Sequence, residues 1–317
     1  MHYLKQNFKM LLMGSFGTFC LLAILLIIFA CLSDSFFTSS NLTNLLVQSG
    51  TNAIIAVGMT FVIISGNIDI SVGSVLAMSI CVGAKVMVKT GNPALGILAA
   101  LVVGVLLGMM NGLLAAYLGF QPFIVTLSTM WLYRGMAYLY TGGIAIVGMP
   151  ASFIQLGRGS TLSIPNVVWL IIVLYLFCSF LLKNTTFGRK VCATGDNQEA
   201  ARLSGINIKK VKLIVFSMSG FFAALSGLVY MSRLNSGQPI AGQSYEMYAI
   251  AAAVIGGASL TKGGVGNLVG TLIGAIFIAA LQNGLTILNI GTYWQQVCMG
   301  LVVLLAVGID RLRKKVI

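Results

Sequence analysis

Charge is scarce in this sequence: Asp, Glu, Lys and Arg together make up 8% of its 317 residues. Soluble domains carry roughly 25%, so a water-facing surface cannot be built from what is present. Histidine is limited to His2, which excludes histidine-dependent metal centres and proton relays. The six cysteines (Cys20, Cys31, Cys81, Cys178, Cys192, Cys298) show no C-x-x-C spacing. Five of them lie in apolar segments, where a free Cys behaves as a small hydrophobe. Neither a disulfide frame nor a metal cluster is supported. No acid–base pair or Ser/Lys dyad stands at a recognisable spacing, so no catalytic residues are assigned.

Nucleotide motifs are missing too. Gly256 to Lys262 imitates the start of a G-x-x-x-x-G-K-[ST] loop, but Thr261 stands where Gly is needed and Gly263 replaces the hydroxyl residue. Gly264-Val265-Gly266 with Gly270 misses the G-x-G-x-x-G spacing by one residue. The chain is therefore expected to bind no cofactor.

What the sequence has is apolar length. Hydrophobic residues make up 58% of it, and the mean hydropathy is +0.99. Apolar runs fall near 14–33, 44–65, 71–88, 95–117, 122–141, 166–183, 211–232, 245–259, 265–287 and 292–309. About 20 apolar residues cross one bilayer core, so an all-α polytopic membrane protein of about ten transmembrane helices is expected, some short or broken. Residues 1–317 read as one transmembrane domain. The run after Lys5 and Lys9 is longer than a signal-peptide core and reads as an uncleaved first membrane helix.

The net charge of +13 comes from basic residues clustered between apolar runs. That is the signature of cytoplasmic loops and not of a nucleic-acid surface. With a cytoplasmic N-terminus, fourteen of the nineteen Lys and Arg fall inside, chiefly in 184–210 and at the C-terminus. Both termini are expected to be cytoplasmic, with 143–163 an external loop.

Glycine is written into the helices. Gly104, Gly108 and Gly112 repeat every four residues, as do Gly266, Gly270 and Gly274. Small residues at this spacing let helix backbones approach closely, within one subunit or between two. An internal echo, apolar helix then polar break then helix, occurs near 53–80 and 249–277.

The break Ser65-Gly66-Asn67-Ile68-Asp69-Ile70-Ser71 is tolerable at membrane depth only if it is buried in protein or lines a watery cavity. Asp69 or Ser71 either caps the next helix or takes part in a transport path. Arg134 lies well inside its run and needs a partner; Asp69 is the candidate by elimination. Glu246 follows the candidate cap Ser244 and either complements a helix dipole or makes a polar contact at an outer mouth. Phe123, Trp131 and Tyr133 could stack on a ring-shaped solute or simply pack.

Several segments recur together in one family. They are Gly58-Met59-Thr60-Phe61-Val62-Ile63 through Gly73-Ser74, Gln121-Pro122-Phe123-Ile124-Val125-Thr126-Leu127, Thr186-Phe187-Gly188-Arg189 with Ala200-Ala201-Arg202-Leu203-Ser204-Gly205-Ile206, and Ile255-Gly256-Gly257-Ala258-Ser259-Leu260 with Gly263-Gly264-Val265-Gly266. From about residue 40 to the C-terminus the sequence resembles a membrane permease subunit of a bacterial ribose/sugar-type ABC importer. It departs at Asn67, where the family commonly has Gly, and at 262–267, usually more basic.

The resemblance implies the ABC-importer permease fold in a bacterial plasma (inner) membrane. Its partners are an ATP-binding cassette ATPase carrying ATP and Mg, an external sugar-binding protein, and a second permease copy or close paralogue. It also implies an ATPase-docking helix in 184–210, and 196–205 reads independently as a short capped helix. Asp196 is the expected N-cap, Glu199 follows three residues later, Ala200 and Ala201 give a small-residue face, and Arg202, Ser204 and the stop Gly205 complete it. The expected translocation path draws on Asn67, Asp69, Ser71, Gln121, Phe123, Thr126, Arg134, Glu246 and Asn283. Its cargo is expected to be a small neutral sugar, ribose or a similar monosaccharide, because Arg134 alone among the cations lies deep in a span. An ion-coupled secondary transporter is the alternative.

The topology is testable by single cysteines in a background lacking the native ones. A membrane-impermeant thiol reagent applied outside should label Ser160→Cys and leave Ser204→Cys unlabelled; equal labelling would overturn the orientation.

Overall fold

The computed structural model describes residues 15–314. Lys5, Lys9 and Lys315, which carry part of the charge argument, lie outside the described residues, as does His2.

The chain is almost wholly helical. Its helices are α1 (Ser15–Leu32), α2 (Ser39–Ile64), α3 (Val72–Thr90), α4 (Pro93–Ala116), α5 (Pro122–Thr141), α6 (Ala151–Arg158), α7 (Asn166–Asn184), α8 (Thr186–Asp196), α9 (Gln198–Leu203), α10 (Ile208–Leu234), α11 (Tyr245–Ile255), α12 (Leu268–Ile287) and α13 (Thr292–Lys314). Six helices are long and apolar enough to cross a membrane: α2, α3, α4, α7, α10 and α12. Three shorter apolar stretches, Gly17–Leu32, Tyr245–Ile255 and Thr292–Gly308, belong to α1, α11 and α13. Together with α5, diluted by Arg134 and hydroxyl residues, they account for the ten apolar runs. The chain is thus an all-α multi-pass membrane protein.

The axis of the fold is α2. Every residue from Ser49 to Ile64 is buried, so this part of the helix is enclosed on all sides and mostly apolar. It is surrounded by α7, α10, α11 and α12. At the start of α2 the Thr38 hydroxyl accepts the Asn41 N–H, a side-chain cap for an otherwise orphaned donor.

Both glycine stripes face helices of the same chain. A Cβ on Gly220 of α10 would overlap the Gly104 carbonyl, and one on Gly108 would lie 3.0 Å from the Gly220 Cα. A Cβ on Gly270 would likewise overlap Gly256, and one on Gly274 would overlap Ala252. Backbone therefore meets backbone between α4 and α10 and between α11 and α12. This is the close approach that substitutes for a hydrophobic drive in lipid.

Three features differ from the sequence reading. The loop 143–163, expected to be external, is built rather than open: it holds α6 and the strands Ile146–Val147 and Ser160–Thr161, which pair with Ser236–Gly237 and Ile164–Pro165. The eighth apolar run stops early, since α11 ends at Ile255 and the chain stays non-helical to Asn267. At about 1.5 Å per residue, α11 reaches only about half-way through a bilayer core. The loop 184–210 begins with a helix of its own, α8, capped by the Thr185 hydroxyl accepting the Gly188 N–H.

The two breaks that suggested an internal echo end alike. Ser65, Gly66 and Asn67 N–H donate to Phe61, Ile63 and Val62 C=O at 3.0, 2.9 and 3.1 Å. Gly256, Gly257 and Ala258 donate to Ala252, Val254 and Ala253 at 3.0, 3.0 and 2.9 Å. Gly66 and Gly257 take φ of +76° and +98°, the left-handed cap that glycine adopts freely.

Gly220→Leu should lower stability by about 1–3 kcal/mol, the usual effect of overpacking a tight contact. Gly300→Leu, where nothing lies within 4 Å, should leave stability unchanged. Thermal unfolding in mixed micelles distinguishes the two.

Candidate functional site

The break between α2 and α3 carries a buried polar network. Asp69 is 1% exposed. Its Oδ1 accepts the Ser71 N–H at 3.0 Å and the Ser71 hydroxyl at 2.7 Å, and its Oδ2 accepts the Ser219 hydroxyl of α10 at 2.8 Å. The Asn111 amide of α4 donates to Ser71 Oγ at 2.8 Å. The Tyr133 hydroxyl of α5 lies 3.1 Å from both Asn111 Oδ1 and the Leu107 carbonyl, and donates its one proton between them. Thr126 Oγ1 lies 3.3 Å from the Ile68 carbonyl, which ties α5 to the break itself.

Asp69 does not partner Arg134, contrary to the assignment by elimination. The Arg134 Nη1 donates instead to the Pro239 and Ala241 carbonyls, each at 2.6 Å. Those carbonyls belong to the irregular segment before α11, which exposes acceptors that no helix consumes. Neither residue caps α3 by its side chain: Asp69 accepts the N–H of Ser71, the N-cap residue itself, and Ser71 gives its hydroxyl to the carboxylate. Ser244 is not a side-chain cap either, because it sits at φ +67° and makes no such bond.

Two clefts open along α5. The α5–α11 cleft, about 380 Å³, is lined by Ser74, Trp131, Arg134, Tyr138 and Glu246 among others. The α5–α9 cleft, about 240 Å³, is lined by Asn67, Gln121, Phe123, Gln198 and Lys212 among others. Phe123 and Arg134 are about 16 Å apart along the helix axis, so the clefts occupy different levels of α5. Asp69, Ser71 and Thr126 lie in neither lining; they belong to the network. Asn283 is placed elsewhere: it exchanges amide hydrogen bonds with Asn41 of α2 at 2.8 and 2.9 Å.

The segment 184–205 forms a platform beside the α5–α9 cleft. The expected short helix is present as α9, but its N-cap is Asn197, whose Oδ1 accepts the Ala200 N–H at 3.0 Å. Asp196 is the last residue of α8. Arg202 Nε donates to Glu199 Oε2 at 3.1 Å, and this pairing holds the Glu199 carboxyl below its ordinary range. The Ser204 hydroxyl donates to the Ala200 carbonyl at 2.9 Å, and Gly205 closes the helix at φ +79°. Ala200 is exposed but Ala201 is buried, so the small-residue face is shared between solvent and core.

Glycine seats this platform on the rest of the protein. A Cβ on Gly195 would overlap the Ile64 carbonyl at the end of α2, and one on Gly263 would overlap Gly195. The Gly264 N–H donates to that same Ile64 carbonyl at 2.8 Å. Asp310 of α13 holds the 256–267 turn from below: its Oδ2 accepts the Leu260 and Thr261 N–H groups at 3.0 and 3.3 Å.

Sequence reasoning did not single out Asn111, Ser219, Gln198, Lys212, Leu203 or Asp310. Leu203 is 76% exposed at the tip of α9; a large apolar residue in the most polar loop was a visible signal. Lys212 reaches Gln198 Oε1 at 3.2 Å and so joins α10 to the first residue of α9. Asp310, one of six acids and set in a basic terminus, could also have been noticed.

Comparison with known proteins bears on this arrangement. Residues 41–307 match the family described as branched-chain amino acid transport system / permease component. The chain is 45% identical over 298 residues to the ribose import permease protein RbsC of Haemophilus influenzae, with 92% of each chain covered. It is 44% identical over 301 residues to the protein of that name in Bacillus subtilis, covering 94% of this chain and 93% of that one. It is 39% identical over 302 residues to the D-allose transport system permease protein AlsC of Escherichia coli, covering 95% and 92%. No solved structure matches.

Proposed function

The chain belongs to the branched-chain amino acid transport system / permease component family, and from that premise we propose that it is the transmembrane subunit of an ATP-binding-cassette importer for a small neutral sugar. The observation that carries the cargo is the near full-length identity to permeases named for ribose and allose. The family description names a different cargo; the relatives narrow it to sugars. Ribose or a similar monosaccharide is the reading, delivered by an external binding protein.

The geometry supports a conduit. The α5–α11 cleft is the outer mouth and the α5–α9 cleft the inner one, with both termini cytoplasmic. Between them the Asp69 network closes the path. The path residues Asn67, Gln121 and Phe123 stand at the inner mouth, and Arg134 and Glu246 at the outer. Arg134 has Glu246 in the same cleft, so the outer mouth presents no net charge to attract an anion. Two permease copies enclose one path along α5, whose exposed face carries Phe123, Leu127 and Trp131.

The 184–205 platform is the docking element for a separate ATPase, which carries the ATP and Mg. Leu203 and the Glu199–Arg202 pair project from it into solvent. A Cβ at Gly205 would meet nothing within 4 Å, so bulk added there faces a partner and not this chain. Gln198 lines the inner mouth while opening α9, so movement of the docked helix reaches the mouth directly. Ion coupling through Asp69 finds less support, since both its oxygens are taken by serines and Arg134 is engaged elsewhere.

Vesicles containing the full complex test this reading. Neutral pentoses or hexoses should be taken up with ATP inside and with no ion gradient, and phosphorylated sugars should not compete. Glu199→Arg should abolish uptake and weaken ATPase co-purification while the permease still inserts. Uptake that follows an ion gradient and ignores ATP would be fatal to the proposal.

A further inference from the structure

We infer that the α5–α11 cleft is a binding subsite for a monosaccharide with adjacent free hydroxyls, so that this subunit itself selects cargo as well as conducting it. The inference rests on the sugar-importer reading and adds to it a specific site and its chemistry.

Three polar groups converge there with capacity left over. Ser74 is 1% exposed, yet its hydroxyl has no hydrogen-bond partner. A buried hydroxyl without a partner is costly, and Ser74 is among the residues that line the cleft, its hydroxyl just beneath the wall. Arg134 is anchored through Nη1 alone; its Nε and Nη2 have no protein acceptor among the described residues. Glu246 lines the same cleft but makes no ion pair with Arg134, the pair Arg202–Glu199 being the only one among the described residues. Its carboxylate lies against Gly73: a Cβ there would come within 2.7 Å of Glu246 Oε2. Glycine at the start of α3 thus leaves the room that the carboxylate occupies.

These groups match a sugar's hydroxyls. A carboxylate has two oxygens and accepts from two adjacent hydroxyls at once, in charge-assisted bonds. The free edge of the guanidinium donates to a third oxygen, and Ser74 both donates and accepts. Trp131 supplies the apolar wall: its side chain is 71% exposed and lines the cleft, a flat surface for the C–H face of a ring. The volume, about 380 Å³, lies at the small end of ligand pockets, roughly 300–1,000 Å³. One cation and one anion leave no field that favours a phosphate, and Glu246 repels it. A deoxy sugar leaves one carboxylate oxygen unpaired, and sites built to bond a hydroxyl discriminate strongly against analogues lacking it.

The test uses the full complex in lipid nanodiscs without the external binding protein. Saturation-transfer NMR reads weak binding of D-ribose, with 2-deoxyribose and ribose 5-phosphate as comparators. Ribose should show transfer, deoxyribose markedly less and the phosphate none. Ser74→Ala, Glu246→Gln and Trp131→Leu should each weaken ribose binding at least about fivefold, the scale of one lost charge-assisted or stacking contact. Trp131 is so exposed that its replacement cannot be answered by misfolding. Equal transfer in the wild type and all three variants, with sugar uptake intact, would overturn the subsite and leave the importer reading standing. Wild-type vesicles that take up no neutral sugar would overturn the importer reading and the subsite with it.

Discussion

A polypeptide that leaves the helical path inside a bilayer must find protein partners for every polar group it exposes, because lipid offers none. Residues 65–71 meet that demand at the centre of this fold. The backbone closes on α2 through Ser65, Gly66 and Asn67, and the Asn67 amide turns back onto Ser65. The remaining need is met by Asp69, whose carboxylate gathers donors from its own segment and from α10. Asn111 and Tyr133 extend the chain of bonds to α4 and α5. One interruption in one helix therefore sets the placement of four others. A carboxylate suits this position because it accepts several bonds at once; an amide there would bring donors that the surrounding serines would have to reorient to meet.

The same economy of space joins the network to the 184–205 platform. Gly195, Gly263 and the Ile64 carbonyl meet without intervening side chains. Close-packed interiors respond to displacement by shifting as units and not by compressing. On the proposed function, a push on α9 is carried through α8 to the end of α2, three residues from Asn67 and five from Asp69. Asp310 fixes the other side of the junction by holding the 256–267 turn.

The apolar helices, glycine packing and the family were legible in the sequence because each is a local or repeating pattern. Runs of apolar residues announced the spans, and Gly at every fourth position announced the faces where α4 meets α10 and α11 meets α12. The partners of single polar residues were not legible. Arg134 finds carbonyls more than a hundred positions away, in an irregular segment that offers no motif. Asn283 lies 242 residues from Asn41, and nothing in either neighbourhood announces the pair. Asp196 and Asn197 are both good N-caps, so local propensity cannot choose between them. The choice falls to tertiary packing, since α8 runs on to Asp196 while Gly195 is seated against Ile64.

A conduit for sugars faces a constraint that a conduit for ions does not. It must pass a solute wrapped in hydroxyls while never leaving a continuous file of water for protons and ions. On the proposed function, two clefts at different levels of α5, separated by a layer in which Asp69 and Ser71 are 1% and 0% exposed, meet that constraint. Opening the layer means breaking hydroxyl–carboxylate bonds, and a passing sugar carries replacement hydroxyls of the same kind. The exchange is close to neutral for the cargo. For a lone water it is not, because its two donors cannot replace the three that Asp69 holds at once. The subsite inferred in the α5–α11 cleft fits the same logic. Its contacts are few and partly exposed, strong enough to orient a sugar and weak enough to release it, as transport requires. Affinity high enough to hold the cargo there would stop the flow that the closed layer is built to control.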